Sequence, residues 1–405
     1  MHVDIYSFQI MAARIRLFLY FATLALIVSP SPKWGAFSQR AKAFEALRSE
    51  NLNANFSFLS PENPYSIYLP LIINEPIHND EFAETALTAL VSPGDKSLPV
   101  TSNAGFGVGD KVLINPGGST AEEGVIAALG SLVLDNGVIN YHYAGEIIKD
   151  LEVIRIPAGE FQMGCDGMNN GGYSCIYDEL PLHAVYLDSY FIDKYEVSNE
   201  KYARCANTGL CTIPEGFGSF TRGSYYDNSA YSSYPVINVD WDAADRYCRA
   251  IGKRLPTEAE WERAARGAID TRPWPWGGYA PECGRMNFGW RTPLTMPQDY
   301  ISCIGDTTPV GLYAPRGASP EGILNMAGNV YEWVNDVFDE NYYKVSPYKN
   351  PPGPTGSLYR VIRGGAFRSN DLYPQVGVTH RVCNRGAEWA RDPYFYVGIR
   401  CADSP

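Results

Sequence analysis

Nine cysteines and five histidines are the residues of this 405-residue chain with the widest choice of chemistry. A thiolate binds soft metals, a thiol pair oxidises to a disulfide, and spacing separates these uses. Cys165 and Cys175, and Cys205 and Cys211, flank short polar loops, and Cys283 and Cys303 flank a longer one. No C-x-x-C pair occurs and no cysteine stands beside a histidine at metal spacing, which argues against zinc. Structural disulfides in an oxidising compartment are the better reading. The count is odd, so at least one thiol is free or pairs between chains. His2, His78, His142, His183 and His380 are scattered without ligand spacing, and His183 is expected to be structural. No Ser/His/Asp order is evident, and Gly364-Gly365 lacks the strand–helix context of a phosphate-binding loop.

Hard oxygen chemistry is concentrated elsewhere. The stretch Gly322-Ile-Leu-Asn-Met-Ala-Gly-Asn-Val-Tyr-Glu-Trp333 sets glycines, apolar side chains and a single acid side by side. That mixture suits a packed loop whose carbonyls and one carboxylate face a common point. Arg363-Gly364-Gly365-Ala366-Phe367 follows it, and the chain closes on Val397-Gly398-Ile399-Arg400-Cys401. Two helices are expected to position these pieces. Asp240 sits at an N-cap, with Trp241, Ala244, Cys248 and Ile251 on one face and Gly252 to close the turn. Thr257 and Glu260 have capping-box spacing for the second, which faces Trp261 and Ala264 inward and ends at Gly267.

Composition limits the rest. Net charge is −12, from 33 basic and 45 acidic residues, with no basic block, so a nucleic-acid partner is disfavoured. Aromatics make up 13%, and 38 Gly and 29 Pro imply many turns and few long helices. Arg14 and Arg16 precede the apolar run Leu17–Val28, and Ser29-Pro30-Ser31-Pro32 breaks it. The run is short of the ~20 residues that span a bilayer, so residues 1–36 read as a secretory signal or an anchor. Residues 37–84 read as a linker. Residues 85–150 read as a small all-β module, a spacer or adhesive unit, from short runs such as Lys111–Ile114 separated by turns such as Pro116-Gly117-Gly118. Residues 151–405 form the main domain.

Lys253-Arg-Leu-Pro-Thr-Glu-Ala-Glu-Trp-Glu262, taken with the Gly322–Trp333 stretch and the Arg-Gly-Gly motif, resembles the formylglycine-generating enzyme (sulfatase-modifying factor) family over roughly Leu151–Ala402. The resemblance implies a loop-rich α+β domain of the C-type-lectin-like formylglycine-generating-enzyme fold. It also implies a Cu(I) oxidase held by two cysteines, since soft thiolates select that ion. The matching positions here are Ser369 and Pro374, and Cys383 is the only thiol nearby apart from Cys401. Copper is therefore not expected. The reading is an exported family domain acting as a surface binding or accessory module, the alternative being a formylglycine-generating or other protein-modifying oxidoreductase.

The same resemblance pairs Cys248 with Cys401. Local bridges Cys165–Cys175, Cys205–Cys211 and Cys283–Cys303 then leave Cys383 as the odd thiol. Family members bind calcium through the loop matching Asn325, Gly328, Val330 and Glu332, and such oxygen ligands suit that ion. The plainer alternative has Asn325 and Glu332 merely hydrogen-bonding backbone in a buried loop. Asn287 and Phe288 resemble part of a second calcium site whose acid is not evident. Phe367–Tyr396 matches the variable ligand-binding face of relatives diversified by retroelements. On it Ser369, His380 and Arg381 are candidates to touch a protein or small-molecule ligand. Membrane contact is expected only through an N-terminal anchor.

Overall fold

The computed structural model describes residues 82–404 apart from 109, 117, 130, 145–146, 292–299 and 369–377. The expected signal or anchor segment, nearly all of the linker, and Ser369 with Pro374 lie outside the described residues. Among the described residues no helix is long and apolar enough to cross a membrane.

Strands β1 (Phe82–Ala86), β2 (Ser97–Leu98), β3 (Lys111–Ile114), β4 (Glu122–Ala128) and β5 (Leu132–Leu134) lead into a ten-residue strand, β6 (Ile147–Ile156). Alternate residues of β3 are buried, Val112 and Ile114, as a strand with one covered face requires. A hairpin of β7 (Gly159–Met163) and β8 (His183–Leu187) follows, then β9 (Tyr190–Asp193). The first half of β6 pairs with β1 and β3, its second half with β9, and β16 (Ala402–Asp403) adds to β9. The expected module boundary at Asp150/Leu151 therefore falls inside one continuous strand. Module and main domain share a single eight-stranded sheet.

Buried charge holds this junction. Lys253 Nζ lies 2.7 Å from Asp110 of the module and 2.8 Å from Asp193 at the end of β9. Lys201 Nζ lies 2.9 Å from both Asp110 and Glu152. Burial would raise the Asp110 carboxyl, but the two lysines draw it well below the usual carboxylate range. Asp150 moves the other way, pushed up by burial and by the Asp110 charge. The module core of Leu98, Val112, Ile126 and Leu132 also takes in Val153 and Phe191 from the main domain.

Three helices follow: α1 (Asn199–Thr208), α2 (Trp241–Ala250) and α3 (Glu258–Arg266). Each start is capped by a side chain, at α2 and α3 by the expected ones. Ser198 accepts from the Lys201 N–H, Asp240 from the Ala243 N–H, and Thr257 and Glu260 close a reciprocal capping box. Gly267, at φ 80°, ends α3. The pair β10 (Gly289–Arg291) and β11 (Tyr300–Ser302) lies beyond, followed by a second sheet of β12 (Tyr331–Val337), β13 (Tyr359–Arg363), β14 (Gly386–Trp389) and β15 (Val397–Gly398) in the order β14-β13-β12-β15. Trp261 and Ala264 of α3 pack with Ile156, Phe161, Val185 and Val334, while Tyr247 and Cys248 of α2 pack with Trp333 and Ile399. Burying each large apolar side chain contributes about 1.5–3 kcal/mol. The result is the α+β, loop-rich body the resemblance implies.

Candidate functional site

All nine cysteines are described. Disulfides join Cys165–Cys175, Cys205–Cys211, Cys248–Cys401 and Cys283–Cys303, leaving Cys383 free and buried. Cys248–Cys401 ties α2 to the end of the chain, beside β16.

The Gly322–Trp333 loop is buried from Ile323 to Val330 and again at Glu332 and Trp333. Asn325 (φ 58°), Gly328 (φ 83°) and Asn329 (φ 65°) take left-handed backbone, which bends the loop at these positions. A Cβ on Gly328 would stand 2.5 Å from the Asn287 carbonyl oxygen, so only glycine fits. Glu332, one of the four expected calcium ligands, is fully paired. Arg400 Nη2 and Nε donate to its two oxygens at 2.6 and 2.9 Å, and the Trp261 indole N–H donates at 2.7 Å. The Asn325 amide donates to Glu196 at 2.7 Å and to the Val310 carbonyl at 3.1 Å. Asn325, Gly328, Val330 and Glu332 thus share one loop, but its carboxylate charge is already matched by a guanidinium. As arranged these residues do not fit a calcium ion, and the bonds that hold the loop run mainly to the side chains of Arg400, Trp261 and Glu196 rather than to backbone. At the second family position, Asn287 Oδ1 is buried without a hydrogen-bond partner.

Glu196 is the member of this group that sequence reasoning missed. It accepts from both Asn325 and Asn329, and burial, with Glu332 nearby, pushes it up to about 8 against the pull of Arg400. Its Tyr-Glu-Val context resembles any strand end, and nothing local signals its partners.

The Arg-Gly-Gly motif clamps α3 to the C-terminal segment. Arg363 pairs with Glu258 at 3.2 Å and Glu262 at 2.5 Å and donates to the Val382 carbonyl, and Arg385 pairs with Glu258 at 2.7 Å. Gly365 (φ 74°) lies under the His380 ring, 2.5 Å from where its Cβ would be. Both described ligand-binding candidates are internal, which corrects that expectation. His380 is buried, its Nε2 is 3.0 Å from the Ala366 carbonyl oxygen, and burial pushes its pKa down to about 4. Arg381 is buried and donates to Glu179 at 2.7 Å, Asn170 at 2.5 Å and the Val378 carbonyl at 3.0 Å. A side chain so enclosed has no face left for a ligand. His183 Nδ1 donates to the Pro181 carbonyl at 2.9 Å, and the ring packs on Tyr343.

Beside this segment an aromatic cluster reaches the surface through Phe220 of a neighbouring loop, over the buried Phe367 ring. Phe220, 45% exposed, stacks on Phe395 at 5.7 Å and lies near Phe367 at 6.4 Å. The Arg368 guanidinium sits 3.9 Å above the Phe220 ring. The loop carrying Phe220 is held by Asp306, which accepts from Ser219 and twice from Thr221. Burial alone would raise Asp306, but these bonds hold it below its ordinary value. Arg222 from the same loop covers Tyr231 at 4.8 Å and Tyr234 at 5.1 Å. Rigid rings with a guanidinium above them make a contact surface that loses little entropy on binding.

The sequence matches the model of the sulfatase-modifying factor enzyme 1-like domain over residues 147–405. It is 33% identical over 290 residues to the formylglycine-generating enzyme of Streptomyces coelicolor, covering 62% of this chain and 88% of that protein. It is 34% identical over 300 residues to the serine/threonine-protein kinase pkn1 of Chlamydia pneumoniae, covering 69% of this chain and 43% of that longer protein. Among solved structures, PvdO from Pseudomonas aeruginosa aligns with a TM-score of 0.47 at 24% identity, over 62% of this chain and 94% of PvdO. The match begins within β6, and it runs through the capped α3, the Glu332 loop, the Arg-Gly-Gly clamp and the Cys401 bridge. The chain therefore belongs to the sulfatase-modifying factor family.

Proposed function

We propose that the chain is an exported binding or accessory module of this family that does not carry out copper-dependent oxidation. One observation carries the reading: eight of the nine sulfurs are committed to disulfides, so a single thiol is left where Cu(I) needs two. Burial pushes that thiol, Cys383, up to about 12, which further disfavours a thiolate ligand. Binding then falls to the face of Phe220, Arg368 and Phe395, backed by the buried Phe367 ring, which suits a protein or small-molecule ligand with an aromatic or planar group. Four disulfides support residence in an oxidising, extracytoplasmic compartment. The net charge of −12 disfavours nucleic acid, and membrane contact would run only through the N-terminal segment.

The oxidase reading has the 33% identity to the Streptomyces coelicolor enzyme in its favour. The two readings separate on incubating copper-loaded protein with a sulfatase-type cysteine peptide and searching for the aldehyde by mass spectrometry. The module reading predicts unchanged peptide. Aldehyde formed in proportion to bound copper would replace it with the oxidase reading.

A further inference from the structure

The free thiol lies beside a disulfide. The Sγ atoms of Cys383 and Cys165 and a carboxylate oxygen of Glu179 are all within 4.8 Å of one another, and all three residues are buried. Arg381 Nη1 lies 3.4 Å from the Cys383 sulfur and 3.5 Å from the Cys165 sulfur. The guanidinium is held there by Glu179 and Asn170, so one fixed positive charge faces both sulfurs. Two of the three cysteines are anchored in the body. The Cys165 N–H donates to the Glu179 carbonyl, and the neighbouring Gly164 is bonded to Glu262 and Arg266. Cys383 follows Val382, whose N–H donates to the Pro273 carbonyl. Cys175 differs. It is half-buried on the loop 166–176, next to exposed Ser174 and beyond Gly171 and Gly172, both at positive φ. Met168 on that loop is 96% exposed.

We propose that Cys383, Cys165 and Cys175 form a thiol–disulfide exchange site that moves the free thiol from the interior to the loop at Cys175. The Cys383 thiolate, a minor species because burial raises the thiol's pKa, attacks Cys165 Sγ, a Cys383–Cys165 bond forms, the Cys165–Cys175 bond breaks, and Cys175 leaves as the thiolate. The proton lost by Cys383 is regained at Cys175, so neither charge nor oxidation state changes overall. The thiol at Cys175 can then attack a disulfide in solution, taking one half as a mixed disulfide and releasing the other as a thiol. The partner class is accordingly a low-molecular-weight or protein disulfide. Because the thiolate is the nucleophile, exchange should accelerate as pH rises. The internal exchange has one free thiol before and after it, and never two, so this inference stands or falls independently of the absence of oxidase activity.

The test incubates the native full chain with oxidised glutathione, quenches in acid, and maps disulfides by mass spectrometry. The expected product carries glutathione on Cys175 together with a Cys165–Cys383 bond, and forms faster at higher pH. Glutathione on Cys383 with Cys165–Cys175 intact, or no adduct at all, would overturn the proposal. The variant Cys175→Ser, incubated with the same oxidised glutathione as oxidant, gives a second reading: a Cys165–Cys383 bond with release of two glutathione thiols is expected, whereas two free cysteine thiols would contradict it. If that variant does not fold, the mapping of the native chain decides.

Discussion

Changing Glu332 to Gln removes one charge from a pair that water cannot reach. Both Glu332 and Arg400 side chains are fully buried, and they meet through two hydrogen bonds of 2.6 and 2.9 Å. At an effective dielectric constant of about 20, charges about 4 Å apart attract by about 4 kcal/mol. The loss of one neutral hydrogen bond would cost only about 1 kcal/mol. The charge term dominates, because the variant leaves a buried guanidinium uncompensated, and breaking such a pair costs about 3–5 kcal/mol. At about 2–4 °C per kcal/mol, the melting temperature should fall by about 6–20 °C, at the lower end for a unit of this length. Arg400 also donates to the Asp193 and Leu324 carbonyls, so Glu332→Leu with Arg400→Met should recover part of the loss and no more. The assay is thermal unfolding by circular dichroism, with each protein in calcium and in chelator. The wild type should melt at the same temperature in both. A fall of less than about 2 °C in the variant would refute the ion-pair reasoning. So would a calcium-dependent rise in the wild type that Glu332→Gln abolishes, since Glu332 would then be an ion ligand.

Glu196 makes stability depend on pH with a definite sign. Its folded pKa is raised from 4.5 to about 8, so between those values the unfolded chain has lost a proton that the folded one keeps. Stability should therefore fall as pH rises through this window, by up to about 1.4 kcal/mol per unit from this group, and Glu196→Gln should flatten the slope seen in urea titrations. Lys253→Met leaves Asp110 and Asp193 without their shared cation and should cost about 3–5 kcal/mol. Hydrogen exchange should then rise in β3 and α2 together, whereas loosening of the module alone would contradict the shared sheet. Gly365→Ala forces a side chain at φ 74° against the His380 ring and should cost about 1–3 kcal/mol, measured as a shift in denaturant midpoint.

Local signals in the sequence read well and distant ones did not. Asp240, Thr257, Glu260 and Gly267 announce helix ends because a cap is satisfied within four residues, and the structure uses each as expected. Lys111–Ile114 is a strand as read. Phe82–Ala86 and Glu122–Ala128 were passed over, the first assigned mostly to the linker and the second too exposed to alternate clearly. Asp150 looked like the polar end of a module. Its carboxyl is instead buried beside Asp110 in the middle of β6, an arrangement visible only once Lys253 and Lys201 arrive from distant segments. The same limit hid the site: Glu196 and Arg400 meet Asn325 and Glu332 across the fold, and such pairing leaves no trace in spacing. His380 and Arg381 read as ligand-facing because their segment matches the ligand-binding face of relatives, while here their polar atoms are satisfied internally.

The sulfur count bears most directly on what the chain does. Titration of the native protein with Cu(I) against a competing chelator, followed by assay of the cysteine peptide for aldehyde, tests it in one preparation. With eight sulfurs in disulfides and Cys383 buried, copper uptake should stay below one equivalent at the chelator's working affinity, and the peptide should be recovered unoxidised. One tightly bound equivalent of copper accompanied by aldehyde would contradict the account.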